Sequence, residues 1–102
     1  MDKDSKNGCF GVVLKCIRIT QNLAVKELAE IMDVNSSYIC DVEAGRRRPS
    51  LSMFYKFSEG LNVPLSKIVE WEEKAKSQNL TYQQILTLAV RYCVENGKEL
   101  QR

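Results

Sequence analysis

Between Val34 and Pro49 lie the residues of this chain whose types and spacing could do chemistry. Ser36 and Ser37 stand one helical turn before Cys40 and Asp41, with Asn35 ahead of them and Arg46, Arg47 and Arg48 directly after Gly45. The short polar side chains donate or accept hydrogen bonds over a small reach, and the adjacent guanidinium groups attract anionic oxygens such as those of phosphate. That is the chemistry of binding, not of bond-breaking. Histidine is absent, and Cys9, Cys16, Cys40 and Cys93 show no C-x-x-C spacing. No motif joins a nucleophile to a base, and none forms a glycine-rich phosphate loop. Neither a metal, a cofactor nor an enzyme active site is expected.

Size and charge narrow the partners. With 102 residues, 44% of them apolar, the chain can bury one core and carry a small extension. The net charge is only +2, so any attraction to phosphate must come from the Arg46 to Arg48 patch and not from an overall field. No apolar run approaches the roughly 20 residues that cross a bilayer, and the N-terminus lacks a signal-peptide core. A cytoplasmic protein with no membrane partner is expected, and in a reducing cytosol Cys9, Cys16 and Cys93 read as small buried hydrophobes and not as half-cystines.

The hydrophobic pattern is helical throughout. Residues 1–8 are polar and aperiodic and are expected to form a flexible arm. Phe10, Val13, Leu14 and Ile17 make one face of a first helix ending near Thr20 to Asn22; Val25, Leu28, Ala29 and Met32 repeat the spacing in a second. Asn35 suits an N-cap for the third helix, which keeps Ile39 and Val42 on its inner edge, and Gly45 suits the residue just past its end. A fourth helix follows Pro49-Ser50, with Phe54, Phe57 and Leu61 as its stripe. Pro64 suits the first turn of a fifth, with Leu65, Ile68 and Val69 inward. Beyond Trp71 the i,i+4 pairs Glu70/Lys74 and Glu72/Lys76 suggest that this helix runs on into solvent. Thr81 and Gln84 form a capping box for a sixth helix, with Leu80 as a staple onto Ile85.

Over residues 11–69 the chain resembles the lambda-repressor and Cro type of DNA-binding protein, the XRE-like helix-turn-helix regulators. The agreement is distributed and gap-free: Leu14-Lys15, Ile17-Arg18, Glu27-Leu28-Ala29-Glu30, Ser37-Tyr38-Ile39, Val42-Glu43, Gly45, Arg47, Pro49-Ser50-Leu51 and Leu61-Asn62-Val63-Pro64. The resemblance implies an all-α fold, a five-helix bundle with an added C-terminal helix. It divides the chain into the arm (1–8), a DNA-binding domain (9–70) and a C-terminal extension (71–102). It also implies an Arg18 to Glu43 ion pair tying the first helix to the end of the third. Carried over residue by residue, Asn35, Ser36, Ser37, Cys40 and Asp41 face the major groove, and Arg46, Arg47 and Arg48 occupy the loop where the family makes phosphate contacts and sometimes a base contact. Asp41 either accepts from a base or pairs with Arg46, Arg47 or Lys26 and orients them.

The departures concern grip. Ala24 and Val25 stand where the family places a capping hydroxyl and a phosphate-binding glutamine, with Gln21 or Asn22 as possible substitutes. Asp33 replaces a turn glycine, and Ala44 a longer polar residue. One short helix reads about half a turn of groove, so a homodimer on half-sites about 34 Å apart is expected. Ile85, Leu86, Ala89, Val90, Tyr92 and Cys93 are then shared between a second subunit and packing with Trp71 on the fifth helix; the alternative is that they only cap the monomer core. The function implied is a sequence-specific double-stranded-DNA-binding transcriptional regulator, most simply a repressor on a palindromic operator, open to a regulatory protein partner. The competing class is an antitoxin-like or other protein-interaction module.

Overall fold

A computed structural model describes residues 9–97. Within them the chain is all-helical: α1 Phe10–Thr20, α2 Val25–Met32, α3 Ser36–Glu43, α4 Leu51–Leu61, α5 Leu65–Ser77 and α6 Tyr82–Glu95. The expected arm, residues 1–8, lies outside the described residues.

α1 is the axle of the fold. Val13, Leu14, Cys16 and Ile17 are fully buried on it, and α3, α4, α5 and α6 all pack around it. The core they share runs from Val13 and Leu28 through Ile39, Phe57 and Ile68 to Ile85 and Ala89, so α6 closes the same core as α2 and α3. Its main support is α1, not α5 as the sequence pattern suggested. Trp71 of α5 still reaches it, meeting the Tyr92 ring edge-on at 5.4 Å.

Helix ends follow local chemistry where the cap residue has a partner. Ser50 accepts from the Met53 amide at 3.3 Å, and Thr81 and Gln84 exchange reciprocal bonds of 3.2 and 2.8 Å. Leu80, just before that box, is half-buried against the core. Asp33 and Asn62 end α2 and α4 in the left-handed conformation at φ 58° and 57°, which short polar side chains tolerate best among non-glycine residues. Asn35 has cap backbone geometry but makes no side-chain cap bond, and Pro64 sits one residue ahead of α5 instead of in its first turn.

The polar stretch after Trp71 does not simply run into solvent. Glu72 is buried: its Oε2 accepts from the Cys9 amide at 3.2 Å, where α1 begins, and meets Lys76 at 3.6 Å. A carboxylate there satisfies a free amide and faces the positive end of the α1 dipole. Glu70 pairs with Lys67 at 3.2 Å instead of Lys74. Cys9, Cys16 and Cys40 carry free thiols; Cys16 and Cys93 are buried, Cys9 is half-buried and Cys40 is exposed. Among the described residues no helix is long and apolar enough to cross a membrane, and none of their side chains cluster as a metal site.

Candidate nucleic-acid interface

The candidate interface is built on α3, an eight-residue helix with two unlike edges. Ile39 and Val42 are buried in the core, and Tyr38 lies half-buried over Phe57, ring centroids 6.4 Å apart. Turning those inward leaves Ser36, Ser37 and Cys40 exposed and Asp41 half-exposed on the outer face, with Asn35 exposed just ahead of them. Helical spacing thus brings together the five groove-facing candidates.

Gly45 ends the helix and starts the basic loop. At φ +81° it permits a turn in which its own amide donates to the Val42 carbonyl at 3.1 Å and the Arg46 amide to Asp41 at 2.8 Å. This crossed pair of bonds is a Schellman closure, which satisfies carbonyls that a helix end leaves free. The turn folds the chain back, so the arginines leave from the end of α3 and do not trail away from it.

Each arginine has its own anchor. Arg46 donates through Nε and Nη2 to Asp41 Oδ1 at 3.0 and 2.9 Å. Arg47 lies over the Tyr38 ring, 5.1 Å from its centroid. Arg48 lies over Phe10 at 5.6 Å, and that ring packs on Phe54 at 4.5 Å. For Arg47, stacking holds the guanidinium in place while leaving its edge donors available. Burial raises the Tyr38 phenol above its ordinary value despite the pull of Arg47, so the hydroxyl stays a neutral donor. Of the pairings open to Asp41, the one formed is with Arg46.

Two contacts fix where α3 sits. Arg18 donates to both oxygens of Glu43, at 2.6 and 3.0 Å, and its Nη1 holds the Leu23 carbonyl at 2.7 Å. The two side chains are 10% and 7% exposed, so one guanidinium clamps α1, the α1–α2 turn and the end of α3 out of solvent. Beside them the backbone of α1 passes so close to the end of α3 that only glycine fits at Gly11. Sequence reasoning passed over Gly11, Tyr38 and Phe10. A glycine on the apolar side of a predicted helix was the signal for the first, and aromatics flanking an arginine run for the others.

The start of α2 is bare by comparison. Ala24 offers no side-chain cap; only Glu27 reaches back, accepting from the Ala24 amide at 2.8 Å. Gln21 cannot substitute as a backbone clamp, because it is buried with its amide on the Leu61 carbonyl at 2.6 Å. Asn22 is exposed and takes a left-handed turn at φ 57°.

On α6, Ile85, Ala89 and Cys93 are buried inside the chain's own core, Leu86 and Tyr92 are half-buried, and Val90 is exposed. Tyr82 and Val94 are also exposed, so Tyr82, Leu86, Val90 and Val94 form an outer apolar stripe with a four-residue step.

A family model described as Helix-turn-helix matches residues 14–68, from α1 into α5. The chain belongs to the helix-turn-helix family. It is of the Cro and C1 repressor type, and α2 and α3 are the pair that names the motif. Over 72 residues the chain is 33% identical to an immunity repressor protein of Bacillus phage phi105. The match takes in 71% of this helix-turn-helix protein and 50% of the phage one, so the chain spans about half the length of that curated relative.

Proposed function

We infer that the chain is a sequence-specific DNA-binding transcriptional regulator, a repressor that acts as a homodimer on a palindromic operator. The observation that carries this is the outer face of α3: Ser36, Ser37, Cys40 and Asp41 in one row, continued by Arg46 and Arg47 folded back against the same helix and by Arg48 beside them over Phe10 of α1. Such a row fits a major groove, where short polar side chains meet base edges and the flanking cations meet phosphate or the edge of a guanine. The likeness to a phage immunity repressor supports the sign of regulation.

The dimer reading rests on geometry. One α3 covers a single half-site, and two copies related by a two-fold axis supply a second about 34 Å away. The stripe of Tyr82, Leu86, Val90 and Val94 is the apolar surface α6 leaves outside its own core. Of the six interface candidates, Leu86, Val90 and Tyr92 retain exposed surface for that contact, whereas Ile85, Ala89 and Cys93 act through the core beneath it.

A protein-interaction module is the second reading, favoured by the bare start of α2 at Ala24 and by the acidic Asp41. Gel shift with the DNA upstream of the chain's own gene separates the two. The regulator binds that duplex specifically, and changing Arg46, Arg47 and Arg48 together to alanine abolishes the shift. No binding by the parent chain supports the interaction module, and binding that survives the triple change removes the site proposed here.

A further inference from the structure

Asp41 is out of place on a surface built to meet phosphate, and its pairing suggests why it is there. Arg46 uses Nε and Nη2 on one carboxylate oxygen, Oδ1. A guanidinium has five N–H donors in a planar fork, and this side-on contact leaves the end-on pair, one N–H of Nη2 and one of Nη1, pointing forward and parallel. Oδ2 of Asp41 takes no hydrogen bond among the described residues. The side chains of Asp41 and Arg46 are 38% and 65% exposed, so neither is closed off from a partner.

The pair is built into the turn. The Arg46 and Arg47 amides both donate to the Asp41 carbonyl, at 2.8 and 3.2 Å, so the main chain brings residue 46 back beside residue 41. Ser37 stands one turn earlier on the same outer face. The result is an acceptor next to a two-pronged donor, with little net charge, at the C-terminal end of the reading row.

We propose that Asp41 and Arg46 act as one reading unit for a C·G base pair in each half-site, Arg46 gripping guanine end-on while Asp41 accepts from the amino group of cytosine. This rests on the DNA-binding reading above and specifies it. In the major groove guanine presents O6 and N7 side by side, the spacing of the free fork, and cytosine presents its N4 amino group to an acceptor. An A·T pair also has one donor, but it divides its acceptors between two bases and places the thymine methyl beside the carboxylate. Holding Arg46 in advance aims the fork before the duplex arrives, and neutralising Asp41 removes its repulsion from phosphate.

The test is selection of binding sites from a randomised duplex library by the intact chain, by Asp41→Ala, Asp41→Asn and Arg46→Ala, with circular dichroism to check folding. The parent chain should enrich a C·G pair at one position of each half-site and discriminate against the other pairs there by about 5- to 100-fold. Asp41→Ala and Arg46→Ala should each flatten that position and leave the rest of the half-site unchanged. Asp41→Asn, which exchanges an acceptor-only group for a donor and an acceptor, should move the preference toward adenine. If no duplex is enriched by the parent chain, the DNA-binding reading falls and this one with it. An enriched motif that Asp41→Ala leaves intact overturns the reading unit alone. So does an Arg46→Ala chain that binds every sequence more weakly with an unchanged motif, because Arg46 is then a phosphate contact.

Discussion

A methyl group on the α-carbon of Gly11 would collide with the Val42 carbonyl oxygen and lie 2.7 Å from that of Glu43. Both are backbone atoms, so no side-chain rotation relieves the clash and the end of α3 must move away from α1. Replacing a helical glycine by alanine favours the helix by about 1 kcal/mol, less than the roughly 1–3 kcal/mol that overpacking typically costs. Gly11→Ala is therefore expected to lower stability by up to about 2 kcal/mol in urea unfolding. It should also weaken DNA binding beyond what the unfolded fraction explains. A variant as stable as the parent would show that α3 shifts without cost.

Arg18 and Glu43 predict a non-additive pair. Glu43→Gln leaves a guanidinium with little water and half its partners, and breaking a buried pair in this way costs about 3–5 kcal/mol. Arg18→Met together with Glu43→Leu should recover much of that loss, because matched apolar groups often replace a buried ion pair at little cost. Recovery stays partial, since Arg18 also holds the Leu23 carbonyl. Urea unfolding of Arg18→Met, Glu43→Leu and the double variant completes the cycle, and simple additivity would mean that the charges do not act as a pair.

Much of this fold is written in local pattern, and what is missing from the sequence is long-range. Periodic apolar residues mark all six helices, and Thr81 with Gln84, Gly45 and Asp33 mark their ends, because caps and turns are decided within a few residues. Glu72 reads as one more solvated charge, because the amide it serves, on Cys9, lies 63 residues away. Gln21 reads as a surface residue until Leu61 presents its carbonyl. Ile85, Leu86, Ala89, Val90, Tyr92 and Cys93 mark the sixth helix as one with apolar surface to cover, but nothing local says that α1 takes most of it. At the interface the residue types of the row were legible; that Asp41 would take Arg46, leaving Arg47 to Tyr38 and Arg48 to Phe10, depends on the turn at Gly45 and on where α1 lies.

Arg47 and Tyr38 separate charge from positioning. If Arg47 neutralises one phosphate, Arg47→Ala should reduce the slope of log affinity against log salt by about 0.9. Tyr38→Leu keeps the charge but removes the ring it rests on, so affinity should fall with the slope nearly unchanged. Fluorescence anisotropy titrations between low and moderate salt measure both. Equal slopes for the parent chain and Arg47→Ala would place that guanidinium off the backbone.

Burial pushes the Cys16 thiol from its ordinary 9.0 up to about 11, with Lys15 pulling the other way. The folded chain therefore favours the neutral thiol. Its contribution is complete below pH 9, where both states are protonated, and is lost from pH 9 to pH 11 as the unfolded chain ionises first. At about 1.4 kcal/mol per pKa unit, that amounts to roughly 2–3 kcal/mol. Other groups titrate over the same range, so the informative quantity is the stability difference between the parent chain and Cys16→Ala. It should narrow from pH 8 to pH 11, and a constant gap would show that the thiol does not ionise differently in the two states.

The outer stripe of α6 makes the last prediction. Val94 is 60% exposed, and Tyr82 and Val90 are exposed with it, on a helix whose opposite face is already committed to α1. A glutamate at Val90 stays in water if the chain is a monomer and is forced against apolar surface if two stripes meet, where an unpaired charge is costly. Val90→Glu should therefore turn a dimer into a monomer in sedimentation experiments at tens of micromolar protein. The circular dichroism of the subunit should be retained, because the buried row of Ile85, Ala89 and Cys93 is untouched. Operator affinity should drop together with the dimer, and a single half-site, which needs only one α3, should be bound as before. A parent chain that sediments as a monomer at those concentrations removes this stripe as the dimer contact.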